Sequence, residues 1–162
     1  MTDVTLPRLK GKALWPINCC LGEVSCALGT QLLDRVDEMN AQRRARALVV
    51  IDALADCPEL VFHREASLRH SYYLLAAHVQ KGLRDRFIRR MAEHHGIQCV
   101  VQYYPLNRYP LYRDLGFGEA VVPSTDAFFD NMVSLPFSHL LTDVQIEQII
   151  AAARETVEFL RR

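Results

Sequence analysis

The sequence predicts an α+β fold: a small antiparallel or mixed sheet of about three strands, covered by helices and preceded by a long helical arm. Three observations carry this. Apolar residues recur at every fourth position from Val24 to Val36, the signature of one helical face. Strand-like apolar runs at 60–62, 71–79 and 97–103 are interrupted by an amphipathic helical stretch. A segment with a capping-box signature and a continuous apolar stripe closes the chain. Strand, helix and strand in that order suit two layers, with helices on one face of the sheet.

Residues 1–20 carry Pro7 and Pro16 with little periodicity and are expected to form an irregular lead-in. A helical arm is expected over 21–57. Its first stripe is Val24, Leu28, Leu32 and Val36, extended by Leu21 and Met39, with Asp34, Arg35, Asp37 and Glu38 on the wetter side. A second stripe of Ala45, Leu48, Val49, Asp52 and Ala53 leads to Cys57-Pro58, where proline ends the helix. One long helix with a shifted buried face fits this pattern, as do two helices broken near Asn40. Gly29 inside it costs about 1 kcal/mol relative to alanine, which points either to close approach by another element or to a tolerated position.

The compact domain is expected over 58–162. After the strands at 60–62 and 71–79, a helix over 81–95 places Leu83, Phe87, Ile88 and Met91 on one face, and Gly96 stops it. The run 97–103 is the next strand. A proline- and tyrosine-marked loop fills 104–122. Ser124 or Thr125 is placed to cap a short helix through Phe128, Phe129 and Met132, and 133–136 reads as a brief strand. Thr142 caps the last helix with Gln145 three residues on, and Ile146, Ile149, Ile150, Ala153, Val157 and Leu160 form its buried stripe.

Composition narrows the function classes. A chain of 162 residues buries an adequate core without disulfides. Half the residues are apolar and 23% are charged, which excludes a disordered chain. The 19 basic residues are matched by 19 acidic ones, which argues against nucleic acid as a partner. Arginine clusters at 43–46 and 84–90 are read as solvated helix faces. Five cysteines make an odd set with no disulfide framework, so a reducing compartment is expected. With no membrane-length apolar run and no signal-like N-terminus, the expected location is the cytoplasm.

Catalytic and metal signatures are sparse. His94-His95 ends a helix without a carboxylate at ligand spacing, and adjacent helical side chains point in different directions, so no metal site is expected. His70, His78 and His139 are scattered, with His78 read as a hydrogen-bonded core residue. Phosphate-binding loops and nucleophile elbows are missing from the pattern. Lys10, Lys12 and Lys81 are the only lysines, and none has an adjacent aromatic stack or paired acid. No catalytic residue is assigned.

Two stretches resemble a known family. The segment Asn18-Cys-Cys-Leu-Gly-Glu-Val-Ser-Cys-Ala-Leu-Gly29 and the later Tyr104-Pro105-Leu106, Pro110-x-Tyr112 and Ser134-Leu-Pro136 elements occur in the order found in the C-terminal domain of the DegT/DnrJ/EryC1/StrS family of pyridoxal-phosphate sugar aminotransferases. His70 to Val79 resembles that family's strand after the long helix, and the likeness runs from about residue 16 to residue 160. It implies the small domain of an aminotransferase of fold type I, which packs on a large domain carrying the cofactor lysine. It also implies dimers, in which Asn18 would donate its amide to the cofactor phosphate of the neighbouring subunit; on its own chemistry Asn18 better suits a helix cap or a turn. By the same resemblance Tyr104, Asn107 and Tyr109 would line the sugar side, with His139 a more distant candidate.

Two positions depart from the family pattern. Cys20 stands where arginine is usual, and Asn107 where histidine is usual, so a charge and a proton shuttle are missing. The expectation is a C-terminal portion of an aminotransferase acting on a keto sugar, nucleotide-linked, with a glutamate-type donor. Pyridoxal phosphate would belong to the complete enzyme and would not be bound by this chain alone. A second chain or a large-domain subunit is the expected partner. The alternative is a non-catalytic dimerisation or accessory protein derived from that domain.

Overall fold

The computed structural model describes residues 20–65, 70–116, 118 and 120–162. The elements run α1 (Glu23–Leu33), α2 (Val36–Ala53), β1 (Leu60–Phe62), β2 (Leu75–Val79), α3 (Arg84–His95), α4 (Pro110–Asp114), α5 (Pro123–Asn131), β3 (Met132–Leu135) and α6 (Asp143–Leu160). The sheet is three-stranded in the order β1-β2-β3, and both pairings are antiparallel. This is the expected small α+β sandwich with a helical arm in front.

Alternation along β2 builds the core. Leu75, Ala77 and Val79 are buried, whereas Ala76 and His78 are half-buried on the other face. The buried row meets Phe87 and Met91 of α3 and Ile149, Ala153 and Val157 of α6 in one apolar cluster. α6 starts on the expected capping box: Thr142 Oγ1 accepts from Gln145 N at 3.2 Å, and Gln145 Oε1 accepts from Thr142 N at 2.9 Å. Gly96 ends α3 in the left-handed region at φ 66°, where a side chain would be strained.

The arm differs from the sequence expectation in two ways. The break falls at Asp34-Arg35, not near Asn40; Arg35 has φ −111° and ψ −3°, and neither proline nor glycine marks the place. The buried face of α2 is also displaced. Ala47, Val50, Ile51 and then Leu54 are buried, whereas Ala45, Val49 and Asp52 are exposed. The break resets the helical phase, so the stripe of α1 does not extrapolate into α2. Along α1 the stripe itself is uncovered: Val24 is 74% exposed and Leu28 62%. A Cβ on Gly29 would meet nothing within 4 Å, so among the described residues no close approach requires that glycine.

Other local expectations are revised as well. β2 starts at Leu75 because Tyr72 sits at φ 45°, outside the strand region, buried with its hydroxyl accepting from Glu65 N at 3.0 Å. α3 starts at Arg84 because Lys81 and Gly82 both have positive φ, in a 3-10 turn over Gln80–Gly82. The run 97–103 forms no strand: Val100 alone exchanges hydrogen bonds with Ser134, at 3.1 and 2.7 Å. β3 ends at Leu135, before Pro136, and offers few further ladder positions. The α5 cap is also revised: the helix opens on Pro123 after Val122, with no side-chain cap.

Arginines join the arm to α6. Arg154 grips Asp56 with two nitrogens at 2.6 and 2.9 Å, and Arg46 reaches Asp143 at 3.5 Å. Among the described residues, no helix is long and apolar enough to cross a membrane.

Candidate functional site

The loop after Val100 folds back on α5. Proline at 105 and 110 breaks extended pairing, and the chain between them makes a 3-10 turn at Leu106–Arg108 followed by the short α4. One arginine anchors this segment. Arg108 Nε donates to Asp126 Oδ1 at 2.8 Å and Nη1 donates to Asp130 Oδ1 at 3.0 Å. Asp126 and Asp130 are four residues apart and share one face of α5, so a single guanidinium reaches both. The hydrogen bond from Arg108 holds the Asp130 carboxyl below its usual range, and the same bonds raise Arg108.

Aromatic rings stack around this anchor. Tyr104 meets Tyr109 edge-on at 4.9 Å and Phe129 at 5.4 Å, and Tyr109 meets Tyr112 at 6.3 Å. The Arg108 guanidinium lies 5.4 Å from the Phe129 ring centre. Arg84 adds a second tie, donating to Phe129 O at 2.8 Å. Tyr104 and Tyr109 keep about two-fifths of their surface open, 43% and 41%. A partly exposed phenol of this kind offers a flat apolar face and a polar edge.

Beside the rings lies a cavity of about 430 Å³ lined by Pro105, Leu106, Asn107, Tyr112, Val122 and Thr125. Its volume falls in the range of small-molecule pockets, and its wall is largely apolar with a few polar groups. Asn107 Nδ2 donates to Ala120 O at 3.2 Å, which orients the amide; its oxygen can accept a further hydrogen bond.

Of the sequence candidates, Asn107 therefore lines the cavity, while Tyr104 and Tyr109 stand next to it in the aromatic cluster. Asn18 lies outside the described residues, as do Lys10 and Lys12. His139 is elsewhere: its Nδ1 is 3.5 Å from Arg43 Nη2. His78 is half-buried, with Nε2 3.2 Å from Ala127 O and its ring parallel to Phe128 at 6.0 Å. Arg108, Asp126 and Asp130 were missed by the sequence reading. The i, i+4 aspartate pair was the available signal, but nothing in the sequence paired it with an arginine eighteen residues earlier.

The described residues do not fit pyridoxal phosphate as a resident group. That cofactor needs a lysine amine in an enclosed cradle. Lys81, the one lysine among the described residues, is exposed on the 3-10 turn, and the described residues lining the cavity include no basic group. What the arrangement provides is one apolar and aromatic wall with fixed amide and phenol groups.

The model of the DegT/DnrJ/EryC1/StrS aminotransferase family matches residues 8–154. The spore coat polysaccharide biosynthesis protein SpsC of Bacillus subtilis is 25% identical over 144 residues, covering 84% of this chain and 36% of that protein. The dTDP-3-amino-3,4,6-trideoxy-alpha-D-glucose transaminase of Micromonospora megalomicea is 29% identical over 147 residues, covering 86% and 38%. Among solved structures, S. venezuelae DesV in complex with a ketimine intermediate is 26% identical with a TM-score of 0.74, covering 85% of this chain and 37% of that one. The chain thus spans little more than a third of the length of the curated relatives it matches.

Proposed function

The chain belongs to the DegT/DnrJ/EryC1/StrS family of PLP-dependent sugar aminotransferases, and from that premise we propose that it forms the substrate-side wall of an enzyme aminating a nucleotide-linked keto sugar. The observation that carries this reading is the cavity beside Tyr104 and Tyr109, with Asn107 fixed in its lining. Sugar rings pack their C–H faces on phenols, and an amide oxygen accepts from sugar hydroxyls. The M. megalomicea relative, named as a dTDP-sugar transaminase, supports nucleotide linkage. Glutamate as amino donor follows from the family resemblance.

In this reading Asn18 contacts the cofactor phosphate of a neighbouring active site, and a lysine-bearing large domain or subunit supplies the amine. Pyridoxal phosphate, when bound by the complete enzyme, supplies the electron sink for transamination. This chain's share is to orient the sugar and exclude water. Asn107 cannot carry a proton at neutral pH as histidine would, so proton transfer falls to groups elsewhere.

The test is reconstitution with a lysine-bearing large domain from the same source, assayed for keto-sugar amination with glutamate. Activity should need both parts. Asn107→Ala and Tyr109→Ala should each lower kcat/KM about tenfold or more, equivalent to roughly 1.4 kcal/mol of transition-state binding. Activity unchanged by both substitutions contradicts the substrate-wall reading.

A second reading has its own support in the exposed apolar row of α1, where Val24, Leu28 and Leu32 are each more than half exposed. Such a face serves association, and the accessory protein would use it without catalysis. A stable dimer that gains no activity from any large domain favours that alternative.

A further inference from the structure

The end of α3 carries a feature that neither the sugar cavity nor the family likeness uses. His94 and His95 close that helix, and Glu155 lies opposite them on α6. One ligand atom from each residue lies within 4.8 Å of the others, the only such group among the described residues. His94 Nε2 is 3.3 Å from Glu155 Oε1, and the two imidazoles meet edge-on at 4.8 Å. The sequence expectation that no carboxylate accompanies these histidines is thereby corrected: the acid comes from sixty residues away in the chain, through the packing of α3 on α6.

We propose that His94, His95 and Glu155 form a binding site for a divalent transition-metal cation of the zinc class. Ligand atoms about 2.0–2.1 Å from a tetrahedral zinc lie about 3.3 Å apart, which is the His94–Glu155 separation. His95 Nε2 is buried with no hydrogen-bond partner. A buried polar nitrogen without a partner is unfavourable, and a cation ligated by it would relieve that cost. The site also sits at a helix C-terminus, where the macrodipole favours positive charge. Two imidazoles and a carboxylate select zinc, cobalt, nickel or copper over magnesium and calcium, which prefer all-oxygen shells. With three protein ligands, one position is left for water. Arg90 borders the site: its guanidinium lies over Phe159 at 4.2 Å, and its Nη2 is 3.7 Å from the same Glu155 Oε1 that faces His94, a contact a bound cation would displace.

The site lies on the helical layer, while the sugar cavity is built by the loop that folds onto α5, so the two proposals stand or fall separately. The experiment is cobalt(II) titration of the full chain, followed by visible absorption, with zinc as competitor. Cobalt distinguishes imidazole and carboxylate ligation from the thiolates of the cysteines, which add an intense charge-transfer band. One equivalent should bind with ligand-field bands only and be displaced by zinc but not by magnesium. His95→Ala and the exposed-site variants His94→Ala and Glu155→Gln should each weaken binding about tenfold or more, since even supporting groups around a metal carry that much. Far-UV circular dichroism checks that each variant is folded. Absence of binding, a thiolate band at the single equivalent, or affinity unchanged from the unsubstituted chain in the His94→Ala and Glu155→Gln proteins would overturn the proposal and leave an ion pair alone.

Discussion

Glu59 is a nearly buried carboxylate, 7% exposed, and both its oxygens accept from Arg161, at 3.0 and 2.8 Å. The hydrogen bonds from Arg161 hold its carboxyl below the usual range. A carboxyl whose folded value is depressed contributes stability above its unfolded value, about 4.3 for glutamate, and loses it as pH falls through the folded value. Asp56 and Asp130 are depressed in the same sense by Arg154 and Arg108. Urea midpoints should therefore decline from about pH 6 to about pH 3, and Glu59→Gln should flatten part of that decline. An identical slope in both proteins contradicts this. At the same scale, Arg108→Ala should release the loop from α5. Amide exchange across 104–116 should then accelerate severalfold while α6 stays protected, and an unchanged exchange pattern removes Arg108 as the anchor. None of these pairs was visible in the sequence, since each joins residues 18 to 102 positions apart.

At the scale of elements, what could be read depended on local signals. α6 was legible because its capping box and apolar stripe lie together between Thr142 and Leu160, although buried Ala152 and Thr156 fell outside the stripe that was read. Thr142→Ala removes the acceptor for Gln145 N and should cost about 1 kcal/mol in denaturant unfolding; a change within experimental error means the cap is not structural. α3 was legible from Leu83, Phe87 and Met91, although its start was displaced by the left-handed pair Lys81-Gly82, which no periodicity announces. The phase of α2 and the edge segment at Val100 were not legible, because tertiary packing decides both. The contrast between α1 and the core gives a further prediction. Phe87→Ala should cost about 3–5 kcal/mol, whereas Leu28→Ala in the isolated chain should stay within about 0.5 kcal/mol. A large loss at Leu28 would mean that its face is already covered.

At the scale of the whole molecule, the order of short motifs identified the family, and the fold followed: three antiparallel strands, a helical layer and an arm with an apolar face turned outward. The cavity was only half legible. Asn107 and the tyrosines stood out as residues, but the arginine clamp that holds them against α5 is a product of the fold. The proposed function divides the labour: this chain would frame the sugar, and another body would provide the amine that holds the cofactor. The most direct test is to mix the purified chain with equimolar pyridoxal phosphate, reduce with borohydride and map the labelled peptides by mass spectrometry. The account predicts no stoichiometric label at Lys10, Lys12 or Lys81. A full equivalent at one of them, lost when that lysine is replaced by alanine, would contradict it.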